Sequence, residues 1–250
     1  MNVYHITYAP ETKTANLHFH GCNFSCVGCI RKKTLYDVHL KTPPKGKIRY
    51  LDLDEVLRIL NGLDARKVIL LGGEPTVDPE LSALTKKLRA SGIHTTLLTN
   101  GHELNEELLE NVNEICMSIK AYSEELHRKF TGKSNKNALK NFRKIHNSGV
   151  SLSSESIYIP GLIELEEIKK IAQFISSIDP EIPYHIDAHV PVNDLWPAPT
   201  PREIETAAKE ARKHLKNVTY LCGNEKLRYK VSNVPFQNRK FAKTTHRSSA

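Results

Sequence analysis

Six short runs of β-forming residues recur along this chain, each followed by a stretch with helical periodicity. The runs are "TANLHFH" (14–20), "KVILLGG" (67–73), "HTTLLTN" (94–100), "ICMSIK" (115–120), "SLSSESIYI" (151–159) and "YHIDAHV" (184–190). "LDLDEVLRILNGL" carries Leu53, Val56, Leu57 and Leu60 at helical spacing. "DPELSALTKKLRASG" predicts a helix with Asp78 as N-cap, Pro79 in the first turn and Gly92 past its end. "KNALKNFRKIHNSG", "ELEEIKKIAQFISSI" and "REIETAAKEARKHL" complete the helical set. Alternation of this kind is the pattern of successive βα units on a parallel sheet. Six units in this order predict an α/β fold, a partial (βα)6 TIM-like barrel.

In such folds chemistry sits where strands end and loops begin, at the C-terminal edge of the sheet. Cys22, Cys26 and Cys29 follow the first run, "GGEP" the second and "TNG" the third, while Lys120 ends the fourth. Every unusual motif therefore falls on one edge, which points to a single shared site.

Three thiols in "CNFSCVGC" form a C-x3-C-x2-C cluster. A structural zinc site wants four ligands, usually as two separated pairs. Cys116 lies within an expected strand and Cys222 stands alone, leaving only His18 or His20 to complete such a site. An iron–sulfur cubane suits closely spaced thiolates on one loop better. With three protein ligands one iron keeps an open position, which the amino and carboxylate groups of a small cofactor can fill.

Composition limits the setting. Of 250 residues 39% are hydrophobic and 26% charged, ordinary for a globular protein. No apolar run approaches the roughly 18 residues of a membrane span, and "MNVYHITYAP" does not read as a signal peptide. Five cysteines without an export signal indicate a reducing cytoplasm. The net charge of +8 is concentrated after Glu225, where Lys226, Arg228, Lys230, Arg239, Lys240, Lys243 and Arg247 meet no acidic residue. The expected organisation is a catalytic domain over 1–225 and a basic tail over 226–250. That tail reads as a solvated end in preference to a nucleic-acid contact. "KTPPKGK" (41–47) reads as a linker.

With these motifs the chain resembles the radical S-adenosylmethionine (SAM) enzymes, whose hallmark is C-x3-C-x2-C after the first strand of a partial barrel. The resemblance implies that Cys22, Cys26 and Cys29 hold a 4Fe–4S cluster whose unique iron chelates SAM. Electron transfer then cleaves SAM to methionine and a 5′-deoxyadenosyl radical. Gly72, Gly73, Glu74 and Pro75 match the family's second motif, which contacts the SAM amino group. Two glycines let backbone approach a ligand closely, and a carboxylate complements an ammonium. Asn100, in "TNG" at the same edge, is counted with them.

The middle of the chain is similar to the glycyl-radical-enzyme activases, of the pyruvate formate-lyase activase kind. Lys120, His127, Thr131, Gly132, Ser134, Asn135, Pro160 and Gly161 fit their pattern. That similarity assigns Lys120 to the SAM carboxylate and places His189 near SAM, while His127 and "TGKSN" read as helix-entry and capping features. It also implies an external electron donor, a ferredoxin or flavodoxin, and a glycine of a partner enzyme as hydrogen donor. Alternatives are hydrogen abstraction from a small molecule or RNA base, and a non-catalytic iron–sulfur or zinc module. The chain departs from the activases at Gly28, where most carry an aromatic residue, and at Ser118 and Leu98, where they carry Asp. Glu155 replaces a basic residue. A monovalent cation beside SAM is therefore not implied. Trp196, the only tryptophan, either covers the barrel opening or packs against it.

Overall fold

The computed structural model describes residues 1–38, 40, 44, 47–192, 194–223, 225 and 229–236. Its elements in chain order are β1 (Val3–Ala9), β2 (Thr14–Phe19), α1 (Leu53–Gly62), β3 (Lys67–Gly72), α2 (Leu81–Ala90), β4 (His94–Thr99), α3 (Glu106–Asn111) and β5 (Glu114–Ser118). They continue with α4 (Glu124–Thr131), α5 (Lys136–Asn147), β6 (Ser151–Tyr158), α6 (Leu165–Ser176), β7 (Tyr184–Ala188), α7 (Pro201–Ala211), β8 (Val218–Leu221) and β9 (Ser232–Asn233). The sheet order is β8-β7-β6-β5-β4-β3-β2-β1-β9. Strands β2 to β8 run parallel, while β1 pairs antiparallel with β2 and with β9. Six βα units followed by β8 make the open, mostly parallel sheet that the alternation predicts.

The six expected strands are β2 to β7. Period-two alternation sends Val68 and Leu70, Leu97, Ile115 and Met117, and Tyr184 and Ile186 to the helix-covered face. There they share one core with Val56, Leu60, Leu84, Phe142, Ile171 and Phe174. Each fully buried Leu or Ile contributes roughly 1.5–3 kcal/mol. The opposite face carries polar residues across neighbouring strands: Ser118 registers with Glu155, and Glu155 with His185. Helix α1 opens on a reciprocal capping box between Asp52 and Glu55, worth about 1 kcal/mol.

Two expectations change. Helix α2 begins at Leu81, so Asp78 is not its N-cap. A short 3-10 turn, Pro75–Val77, intervenes, and the Asp78 carboxylate instead accepts the Glu80 N–H at 2.8 Å and the Asn2 N–H. The expected boundary at 225 also falls before the last strand, because Ser232–Asn233 registers on Tyr8 and Thr7 of β1. Lys226, Arg228, Arg239, Lys240, Lys243 and Arg247, and most of 41–47, lie outside the described residues. Among the described residues no helix is long and apolar enough to cross a membrane.

Candidate active site

The "GGEP" segment continues the parallel pairing of β2 and β3 beyond the strand ends. Gly73 N–H donates to the Phe19 carbonyl and Glu74 N–H to the Gly21 carbonyl, both at 2.8 Å. A Cβ on Gly73 would stand 2.0 Å from the Gly21 oxygen, and one on Gly72 would stand 2.7 Å from the Phe19 nitrogen. Gly72 also has φ +117°, a region open to glycine. The close approach that both glycines permit is thus to the chain entering the cysteine loop, where the sequence pointed to a ligand.

Glu74 is buried, with 1% exposure. One carboxylate oxygen accepts the Thr76 N–H at 3.2 Å, the Thr76 hydroxyl at 2.8 Å and the Thr99 hydroxyl at 2.7 Å. The other accepts the Asn100 N–H at 2.6 Å. Burial pushes the Glu74 pKa up, and these donors pull against it. The Asn100 side chain in turn donates to Asn23 at 2.7 Å and lies 3.8 Å from the Cys22 sulfur. A continuous polar chain therefore links the ends of β3 and β4 to the first cysteine. Sequence reasoning missed Thr99 and Asn23; the "TNG" at the end of β4 was the available signal.

The cysteine loop rests on the end of α4. Ser25 N–H donates to the Thr131 carbonyl and Val27 N–H to the Phe130 carbonyl, each at 2.9 Å. Phe24 packs between His102 and His127, with ring centroids 5.2 and 5.3 Å away. His127 Nδ1 lies 2.7 Å from the Lys133 carbonyl, and Gly132 closes α4 with φ +79°. The expected capping role of "TGKSN" is what these contacts show, and they also seat the loop.

Burial raises the Cys22 thiol and pushes Cys26 up to about 11, while the Lys120 charge lowers both. Phe24 N–H donates to the Cys22 sulfur at 3.4 Å. Amide donors and a nearby cation stabilise a thiolate, as a cluster ligand requires. Among the described residues no three His, Cys, Asp or Glu side chains converge on a single-ion position. His18 stacks on His5 at 4.6 Å, and His20 packs on Tyr4 and Tyr50, so neither joins the thiols. A cubane gives each cysteine a different iron, so thiols spread along one loop fit it, whereas a mononuclear zinc site needs convergence.

Lys120 and His189 lie just past the ends of β5 and β7. His189 is 3% exposed, and its Nε2 finds no hydrogen-bond partner among the described residues. Pro75 is buried in the turn after Glu74. One layer below, the Ser118 hydroxyl donates to Glu155. His185 bridges Thr219 at 2.7 Å and Asp187 at 3.1 Å, and Asp187 raises its pKa. Cys116, on β5 and away from the cysteine loop, lies 3.9 Å from Glu155, and burial pushes its thiol up to about 12.

The sequence profile of the radical SAM superfamily matches residues 16–175. A candidate glycyl-radical enzyme activating enzyme of Methanocaldococcus jannaschii is 34% identical over 238 residues, 91% of this chain and 87% of that protein. The pyruvate formate-lyase-activating enzyme of Staphylococcus epidermidis is 31% identical over 134 residues, 47% of this chain and 53% of its own length. Among solved structures, a domain of pyruvate-formate lyase-activating enzyme from Bacteroides vulgatus superposes with a TM-score of 0.53 at 23% identity, covering 61% of this chain and 97% of that one. SuiB of Streptococcus suis gives 0.63 at 15% identity over 82% of this chain and 47% of its own. At these identities the structural likeness shows the fold. The extent of the sequence matches shows more: the chain belongs to the radical SAM superfamily, enzymes that use a 4Fe–4S cluster and SAM.

Proposed function

We propose that this chain is a radical SAM activating enzyme that abstracts hydrogen from a glycine of a partner enzyme in a reducing cytoplasm. Cys22, Cys26 and Cys29 would hold the 4Fe–4S cluster. Lys120 and His189 would face SAM, while Gly72, Gly73, Glu74, Pro75 and Asn100 would frame its site from the ends of β3 and β4. The cluster and SAM, when bound, supply a 5′-deoxyadenosyl radical for hydrogen abstraction. Lys120, a compact cation near two of the thiols, suits the SAM carboxylate. Glu74 acts by bracing: through Asn100 it holds the β4 end against the cysteine loop. The observation that carries the reading is this gathering of the loops after β2, β3, β4, β5 and β7 at one sheet edge. The Methanocaldococcus relative supports the activating role. Electrons would come from a ferredoxin or flavodoxin. Residues 1–225 would form the catalytic unit, and the basic segment 226–250 would add Ser232–Asn233 to its sheet as the edge strand β9.

The test is anaerobic reconstitution, then SAM, reductant and a glycyl-radical enzyme deuterated at glycine. Deuterium in 5′-deoxyadenosine and a glycyl radical by electron paramagnetic resonance are expected. SAM cleavage without either signal sinks the activating role. A second reading, a small polar substrate, is favoured by the polar row of Ser118, Glu155, His185 and Thr219 below the site.

A further inference from the structure

Trp196 lies in the loop after β7, half-buried, with its indole between two bare backbones. A Cβ built on Gly28 would stand 3.6 Å from its Cζ3, and one on Gly161 would stand 3.7 Å from its Cδ1. These atoms are at opposite ends of the indole, so the loops after β2 and β6 each present a glycine to one end. Phe130 and His189 pack against the same ring edge-to-face, with centroids at 6.3 and 6.5 Å. Position 28 is consequently full without a side chain. A Cβ there would also meet Phe130 Cε2 at 3.1 Å and His189 Cε1 at 3.2 Å. Three rings from three other segments occupy the space beside the second and third cysteines, where the activases it resembles carry an aromatic side chain on the loop itself. One of those rings, His189, keeps a buried and unpartnered Nε2.

The geometry points to Trp196 as the aromatic wall for the adenine of SAM, supplied from the loop after β7 in exchange for the missing side chain at Gly28. This rests on the cysteine loop being the SAM site. The chemistry is that of a purine against a large, partly exposed ring: Trp offers stacking area with few rotamers to immobilise. Phe130 and His189 hold the indole at its edge, and the two glycines let it sit flush between loops.

Trp196 is the only tryptophan, so its emission reports on this position alone. In the cluster-loaded chain SAM should change that emission, and methionine, which lacks adenine, should not. By equilibrium dialysis Trp196→Ala should weaken SAM binding about tenfold or more, the scale of one base stacked on an aromatic ring. Its methionine binding and cluster absorbance should be unchanged, and Trp196→Phe should stay within about threefold of wild type for SAM. Gly28→Tyr alone should weaken SAM binding because it displaces His189 and Phe130. Combined with Trp196→Ala it should regain most of the lost affinity, since the removed indole gives both rings room. A structural plug would behave differently: Trp196→Ala would then lower thermal stability but leave the ratio of SAM to methionine affinity as in wild type, and that result overturns the proposal. Wild type with a full cluster that binds no SAM would remove the site reading itself, and this inference with it.

Discussion

Replacing Gly73 by alanine asks whether the glycines of "GGEP" serve a ligand or the chain. The new Cβ would stand 2.0 Å from the Gly21 carbonyl oxygen and 3.1 Å from that of Phe19. Both neighbours are backbone, so no side-chain rotation relieves the overlap. Separation of the two segments breaks at least one of the 2.8 Å bonds that join them, Gly73 N–H to Phe19 or Glu74 N–H to Gly21. Overpacking costs about 1–3 kcal/mol and the lost hydrogen bond about 1 kcal/mol more, giving roughly 2–4 kcal/mol. For a chain of this size each kcal/mol lowers the melting temperature by about 2–4 °C, so the drop should be roughly 4–16 °C. Gly62→Ala is the control. It sits at the end of α1 with nothing within 4 Å of an added Cβ, and should stabilise by about 0.5–1 kcal/mol. The assay is thermal unfolding by circular dichroism of the cluster-loaded chain without SAM. A Gly73→Ala protein that melts within about 2 °C of wild type, yet loses SAM, would refute the backbone argument and return the glycines to the ligand.

Other expectations follow from the same geometry. Reconstituted protein should carry about four irons and four sulfides; alanine at Cys22, Cys26 or Cys29 should abolish the cluster, and alanine at Cys116 or Cys222 should not. Iron analysis and visible absorbance decide this, with stoichiometric zinc as the contrary result. Lys120→Ala should keep the cluster but weaken SAM binding roughly ten- to hundredfold, the scale of a charge-assisted contact, in a SAM titration read by electron paramagnetic resonance. Glu114 is held down to about 2, below the ordinary carboxylate range, first by the Thr96 hydroxyl and further by Lys67 and His94. A depressed carboxylate stabilises the fold above its unfolded pKa and loses that stability as pH falls through the folded one. Urea unfolding should therefore show a loss between about pH 4.5 and 2 that Glu114→Gln flattens; an unchanged pH profile in the variant would remove Glu114 from the account.

The six central strands were legible because each is a short run of β-forming residues followed by a helical pattern, and on β5 to β7 one face meets helices while the other carries polar side chains. Strand β1 escaped for the converse reason: Val3 to Tyr8 are buried on both faces except for one half-buried position, so no alternation marks it. Strands β8 and β9, with four and two residues, are too short to carry a pattern. The cysteines and "GGEP" were legible as motifs, yet the reason for the glycines was not. It depends on Phe19 and Gly21, some fifty residues earlier in the chain. The same holds for Asn100, which meets Cys22 across 78 positions, and for Trp196 beside Gly28. Local pattern records what each segment needs from solvent and core, whereas contacts between loop ends exist only once the strands lie side by side in the sheet.

Ser118 and Glu155 illustrate that difference. Read singly, each departs from the activase pattern: a hydroxyl stands for a carboxylate on β5, and a carboxylate for a base on β6. The register makes them one change, because Ser118 faces Glu155 directly and donates to it. The lumen keeps a carboxylate at this layer but carries it one strand over, beside His185 and Asp187. The hydrogen bond that the His185 imidazole donates to the Asp187 carboxylate raises its pKa first, and the charges of Asp187 and Glu155 add to that. The layer beneath the cysteine-loop edge thus carries a linked carboxylate–imidazole row where the activase pattern has a basic side chain. A cationic or hydrogen-bond-donating group entering the lumen gains from that row what an anionic group would lose.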